Sequence, residues 1–198
     1  SLDNRISPTR GSKFSFGVEV APPFPNFSQY YKLTQSYQNH VTLVGDLVVT
    51  NSFEFGYVGF IGDKRKSDFK RFYLGGTPIQ QRQSFLSDNI DLRGFPGGQT
   101  GRISPYVNGN HVGGRVYTKY ALEMRYPAVN NEQVRLIPYS FFDSGNSYLD
   151  MQHFDPFNVK RATGVGIGEG FGTAPGTGAI AVPIVRRDNI GIEWQEDE

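Results

Sequence analysis

Hydrophobic residues recur at every second position over long stretches of this chain, the spacing of a strand that shows one apolar and one polar face. In "KFSFGVEVA" (13–21), Phe14, Phe16, Val18 and Val20 share a face, and Ser15, Gly17 and Glu19 the other. "YYKLTQSYQNHVTL" (30–43) sets Tyr31, Leu33, Tyr37 and Val41 against Lys32, Thr34, Ser36, Gln38 and His40. "GDLVVTNSFEFGYVGF" (45–60) opposes Leu47, Val49, Phe53, Phe55 and Tyr57 to Asp46, Thr50, Ser52 and Glu54. "GGRVYTKYALEMRYP" (113–127) opposes Val116, Tyr120, Leu122, Met124 and Tyr126 to Arg115, Lys119, Glu123 and Arg125. "EQVRLIPYSFFDSGNSY" (132–148) reads as a strand blurred by Ile137 and Pro138. "VKRATGVGIGEGFG" (159–172) alternates Val165, Ile167 and Phe171 with a file of glycines. The tail adds two shorter candidates, "AIAVPIV" (179–185) and "DNIGIEW" (188–194). No stretch carries a convincing helical period.

The predicted strands are long, about 10 to 15 residues against a usual 5 to 6. A strand tilted across a bilayer needs about 9 to 11, apolar toward lipid and polar toward a lumen. The polar files contain Glu19, Lys32, Asp46, Glu54, Arg115, Lys119, Glu123 and Arg125. Those charges are costly in a dry core and ordinary in a wet lumen. Tyrosines near predicted strand ends (Tyr30, Tyr31, Tyr126 and Tyr148) suit an interfacial girdle. The other architecture open to the pattern is a soluble sandwich with its polar face outward.

Composition narrows this picture. Among 198 residues, 24 glycines, 16 phenylalanines and 11 tyrosines stand beside only 37 % hydrophobic residues, which favours β structure with one polar face. Twenty basic against 19 acidic residues give no basic excess for nucleic acid, and no nucleic-acid partner is expected. The absence of cysteine excludes disulfides and thiolate zinc sites within the chain. His40, His111 and His153 lack metal-ligand spacing of one another and read as one lumen and two loop residues; no metal or cofactor is expected. The longest apolar run, 179–185, is too short to span a bilayer as a helix.

Two stretches invite a chemical reading. "YSFFDSGNSY" (139–148) places Asp143-Ser144-Gly145 after two apolar residues, as in an aspartic protease. That chemistry needs two carboxylates sharing a proton, and only one Asp-Ser-Gly occurs. The second stretch runs from 71 to 114. Apart from a strand expected at 69–74 it reads as a loop of nearly forty residues, with Arg93 in an apolar-flanked turn, Leu92-Arg93-Gly94-Phe95. Loops of that length are usually functional.

"FYLGG" (72–76) followed by "LRGF" (92–95) resembles the bacterial surface-antigen family of outer-membrane β-barrel assembly factors. The likeness continues through "YTKYALEMRYP" (117–127), "FFDSGNSY" (141–148) and "FNVKRATGVGIG" (157–168), and back to "NRISPTRGSKFSFGVEV" (4–20). It implies an all-β fold, a transmembrane antiparallel β-barrel of which this chain is the C-terminal half. About eight or nine of sixteen strands would lie in residues 1–198, with a long inserted loop at about 75–112. The remaining strands would come from absent residues or another chain, because raw strand edges are not tolerated in lipid. After Gly168 the sequence departs from the family pattern, although Trp194 could serve as the closing aromatic.

The resemblance implies a place in the bacterial outer membrane and a non-enzymatic role, the folding and insertion of outer-membrane β-barrel proteins. Its partners would be client outer-membrane proteins, other assembly-machine subunits and the lipid bilayer. A related barrel that secretes a polypeptide through its lumen is the alternative. It also implies that the inserted loop folds into the barrel, Leu92, Arg93, Gly94 and Phe95 forming its motif and Glu123 and Asp143 receiving the arginine. A solvated Arg93 at a loop tip is the competing reading. Gly164, Gly166 and Gly168 leave one strand face bare, which fits close packing of that loop or a weakly pairing strand equally; the spacing of a nucleotide-binding Gly-x-Gly-x-x-Gly is not met. The basic cluster "KRKSDFKR" (64–71) reads as a solvated turn before a lipid-headgroup contact.

Overall fold

The computed structural model describes residues 3, 8–21, 29–61, 70–75, 88–95, 103–130, 134–171 and 178–182. The strands among them are β1 (Gly11–Ala21), β2 (Tyr30–Thr42), β3 (Val48–Phe60), β4 (Phe72–Leu74), β5 (Asp88–Ile90), β6 (Tyr106–Val107), β7 (Asn110–His111), β8 (Val116–Arg125), β9 (Val129–Asn130), β10 (Val134–Tyr148), β11 (Lys160–Phe171) and β12 (Gly178–Val182). The long ones form one antiparallel sheet in the order β1-β2-β3-β8-β10-β11-β12, with β9 paired to β10. Among the described residues β1 and β12 each have one neighbour, so the sheet is open at both edges.

The alternation sorts the two faces. Phe14, Phe16, Val18, Val20, Tyr37, Val41, Phe53, Met124, Phe142 and Val165 are exposed on the outer face. An apolar file that no protein covers is what a lipid-facing wall presents. The opposite face carries Lys32, Glu54, Lys119, Glu123 and Asp143, with Lys119 and Asp143 buried. In β10 the blurred stretch resolves around Pro138, which lies one residue beyond the last β8 pair, Tyr139↔Arg125. Proline cannot donate to a ladder, and here it stands where one ladder ends.

The two ends of the sheet differ. At one, β2 and β3 are joined by a five-residue turn in which Leu43 N donates to Leu47 O (2.9 Å). From the other rises the connection between β3 and β8, which are themselves neighbours. Beyond the strand expected at 69–74, that connection holds further short strands. It holds β4 and β5, paired in parallel, and the β6–β7 hairpin. Asn108 (φ 51°) and Gly109 (φ 79°) form the hairpin's tip, the two left-handed positions that a type I′ turn requires. The strand expected from 69 begins at Phe72; residues 62–69, most of the basic cluster included, lie outside the described residues. Its last members find protein partners: Lys70 lies 3.5 Å from Glu19, and Arg71 donates to Gly113 O.

The connection folds inward. Phe72, Leu74, Leu92 and Ile103 pack with the wall residues Tyr30, Val58 and Tyr117 into the main apolar core. Phe72 and Tyr117 meet with ring centroids 4.7 Å apart. Ser147 on β10 pins the fold-back, donating to Phe72 O (2.9 Å) and accepting from Gly114 N (3.1 Å). The tyrosine girdle needs correction. Tyr30 is buried and donates to Glu19, and Tyr148 is buried with its hydroxyl on Asp155 O and Asn158 O. Both serve internal contacts because a polar partner lies within reach; Tyr126 is exposed, and Tyr31 meets Tyr57 across the outer face.

Candidate functional site: the inner-loop seat of Arg93

The strand ladders assemble the receiving wall. Residues two apart on a strand share a face, so Phe141 and Asp143 of β10 both point inward. In the β8–β10 register Phe141 pairs with Glu123 and Asp143 with Ala121. Glu123 and Asp143 are therefore diagonal neighbours, with the Phe141 ring beside them. Asp143 is the most deeply buried charge described, at 1 % exposure. A carboxylate there demands a partner.

Arg93 supplies it. Its Nε donates to Asp143 Oδ2 at 2.9 Å and its Nη2 to Oδ1 at 2.8 Å, the two-pronged fork that suits guanidinium to carboxylate. Nη1 donates to Glu123. The guanidinium lies 4.2 Å from the Phe141 ring centre, and the Arg93 backbone N donates to Asp143 Oδ2 at 3.2 Å. Lysine cannot reproduce this geometry, because it offers a point charge in place of a planar fork.

The flanking motif residues fix the approach. Leu92 is fully buried in the core shared with β4 and the wall, and Phe95 packs partly buried against it. Gly94 has φ +85°, and a Cβ there would meet the Cβ of Ala162 on β11 at 2.5 Å. Both the left-handed backbone and the close approach select glycine.

The loop therefore meets β11 at Ala162, and at Gly164 and Gly166 the close neighbour is not the expected loop. A Cβ at Gly164 would strike the Phe141 ring (2.7 Å), and one at Gly166 the Tyr139 ring (2.5 Å). These glycines make room for aromatic rings of β10, their neighbour in the ladder, because Gly164 pairs with Phe141 and Gly166 with Tyr139. Gly168 pairs with Ile137 on one side and Ala179 on the other; its side-chain surroundings lie outside the described residues.

The structure also brings together residues that the sequence reading left apart. Lys32 Nζ lies 2.6 Å from Asp88. Lys119 Nζ lies 2.8 Å from Asp91 and 3.2 Å from Glu54. The inward lysines were legible in the alternation; their loop partners were not, since periodicity says nothing about a loop's path. The available signal was acidic residues two and five positions before Arg93, in a loop facing a wall that carries both signs. The histidines serve elsewhere: His40 bonds Thr50 (2.9 Å), His111 bonds Ser104 and His153 bonds Asp150.

Comparison with known proteins agrees with this geometry. The family model for the Omp85 superfamily domain matches residues 1–195. Among solved structures, the chain is similar to BamA from Haemophilus ducreyi lacking POTRA domains 1–3, with TM-score 0.67 and 18 % identity. That match covers 94 % of this chain and 39 % of the BamA chain, so the chain spans well under half the length of that relative. Comparison with curated protein sequences gives no match. A barrel wall with an inwardly folded loop and a family model that matches it almost end to end lead to one assignment: the chain belongs to the Omp85 superfamily.

Proposed function

We propose that this chain is the C-terminal portion of a bacterial outer-membrane barrel that folds and inserts other outer-membrane β-barrel proteins. Residues 1–198 form one wall segment with the inserted loop, and strands outside this chain complete the barrel. The action is non-covalent. A barrel of this kind offers a strand edge to a client strand, so that main-chain hydrogen bonds template the next strand. Clients, accessory subunits and the surrounding bilayer are its partners. Arg93, held by Asp143 and Glu123, keeps the inner loop seated and the wall in the competent shape. The observation that carries this reading is the two-pronged Arg93–Asp143 pair inside a wall of the Omp85 superfamily.

The test is client folding in liposomes containing the full-length protein, with a urea-unfolded barrel protein added and its folding followed by gel mobility. The parent should accelerate folding. Arg93→Ala should lose most of that acceleration, and Arg93→Lys should fall between. A parent that leaves client folding at the rate of empty liposomes, yet passes an unfolded polypeptide into the lumen, would replace assembly by secretion.

A further inference from the structure

The charged pairs around the inner segment change sign in a defined order. Asp88 and Asp91 on the loop meet Lys32 and Lys119 on the wall. Two residues on, Arg93 meets the acids Asp143 and Glu123. The wall partners also descend in order. Measured against β3, Lys32 lies level with Val58, Lys119 with Glu54, Ala121 (beside Asp143) with Ser52, and Glu123 with Thr50. The wall residues that the segment pairs with are thus basic nearer the long-loop end and acidic deeper in, and the segment carries the opposite sequence of signs; Glu19 and Glu54 stand level with the two lysines.

The span leaves little slack. From β2, which carries Lys32, to β10, which carries Asp143, there are three strand steps, about 14 Å at the usual spacing, together with a descent from the level of Val58 to that of Ser52, about 20 Å along the strands. The five residue steps from Asp88 to Arg93 reach at most about 17 Å. The segment has length only for a nearly straight crossing, with the long Lys32 and Arg93 side chains reaching the rest of the way. A slip of two residues would set Asp91 against Asp143, or Arg93 against Lys119. Either puts like charges together in a confined, largely desolvated place.

We infer that Asp88 and Asp91, acting through Lys32 and Lys119, are positioning residues that select the one register in which Arg93 reaches its seat. The inference deepens the reading of this segment as the barrel's inner anchor and rests on it. Arg93 supplies the strongest single hold; the two aspartates reject the neighbouring registers.

Ala162 provides the readout, because Gly94 covers it only when the segment is seated and this chain contains no cysteine. Ala162→Cys is introduced into the full-length protein in detergent, any cysteine outside this stretch being replaced by serine, and maleimide labelling is timed. The seated parent should label far more slowly than an exposed Met151→Cys control. Asp91→Lys, and Lys119→Asp, which gathers three carboxylates, should each label about ten-fold faster, and the double exchange should return to within about two-fold of the parent. Asp91→Asn and Lys119→Gln give the same direction at smaller size if a reversal fails to fold, as judged by heat-modifiable gel mobility. The inference is overturned if the parent labels as fast as the control, if the single variants label at the parent rate, or if the double exchange labels as fast as the singles. The same variants are assayed for client folding. The expected labelling pattern with unchanged client folding would uphold the register and sink the assembly reading alone.

Discussion

The two ends of the inner segment are held by the same kind of bond in different surroundings. At the deep end, Arg93 grips an Asp143 side chain that is 2 % exposed, through two side-chain bonds and one from the backbone. At the shallow end, Lys32 and Asp88 meet at 2.6 Å with side chains 15 % and 30 % exposed. The shorter of these contacts is not the stronger hold. Water still reaches the shallow pair and competes for it, whereas removing Arg93 strands the Asp143 carboxylate, whose side chain is almost wholly out of water. The comparison teaches that distance alone does not rank ion pairs; what each charge would face without its partner does.

The largest effect is expected at the deep end. Arg93→Met should lower barrel stability by about 3–5 kcal/mol, because the buried Asp143 carboxylate is left uncompensated. Thermal unfolding in detergent, followed by heat-modifiable gel mobility, measures it. The double variant Arg93→Met with Asp143→Leu should regain much of the loss. A single variant no worse than a surface pair would mean that water fills the seat, and the contrast between the ends would collapse.

Gly94→Ala comes next, at about 2–3 kcal/mol, combining a left-handed backbone with crowding against Ala162. Adding Ala162→Gly separates the two causes, since it relieves the crowding and leaves the backbone strain. Full recovery in that double variant would show that the turn itself costs nothing.

The smallest effect belongs to Asp88→Asn, below about 1 kcal/mol at low salt and vanishing near 1 M salt, where the screening length is about 3 Å. Unfolding temperatures of parent and variant measured across a salt series should converge. A gap that persists at high salt would place Asp88 in surroundings as dry as those of Asp143.

Much of the wall was legible beforehand, for a local reason. In β1, β2, β3 and β8 each side chain's face follows from its own position in an alternating run, so the apolar file of Phe14, Phe16, Val18 and Val20 and the inward Lys32 and Lys119 could be read directly. Pro138 blurred β10 because its effect depends on where the neighbouring ladder stops. The motif and its two receivers entered through resemblance. Alternation alone put Glu123 on the polar face but could not say that a residue thirty positions earlier would reach it.

The tyrosines and glycines show the limit from the other side. Tyr30 and Tyr148 stand near strand ends, as girdle residues do, yet each turns to an internal acceptor that only the folded chain brings near. The bare face at Gly164 and Gly166 announced a close approach without naming the visitor, and register assigned it to Phe141 and Tyr139 of the adjacent strand.

The sequence by itself determined the all-β class, the two-faced strands and their length, because these depend on a period of two and on local turn chemistry. It also marked the inserted loop and the charges that face inward. The tertiary structure alone decided the path of that loop, the matching of Asp88 and Asp91 to Lys32 and Lys119, and the seat of Arg93 between Asp143 and Glu123. Those contacts join residues 28 to 56 positions apart. Their existence depends on sheet order and ladder register, which emerge only when all the strands have paired.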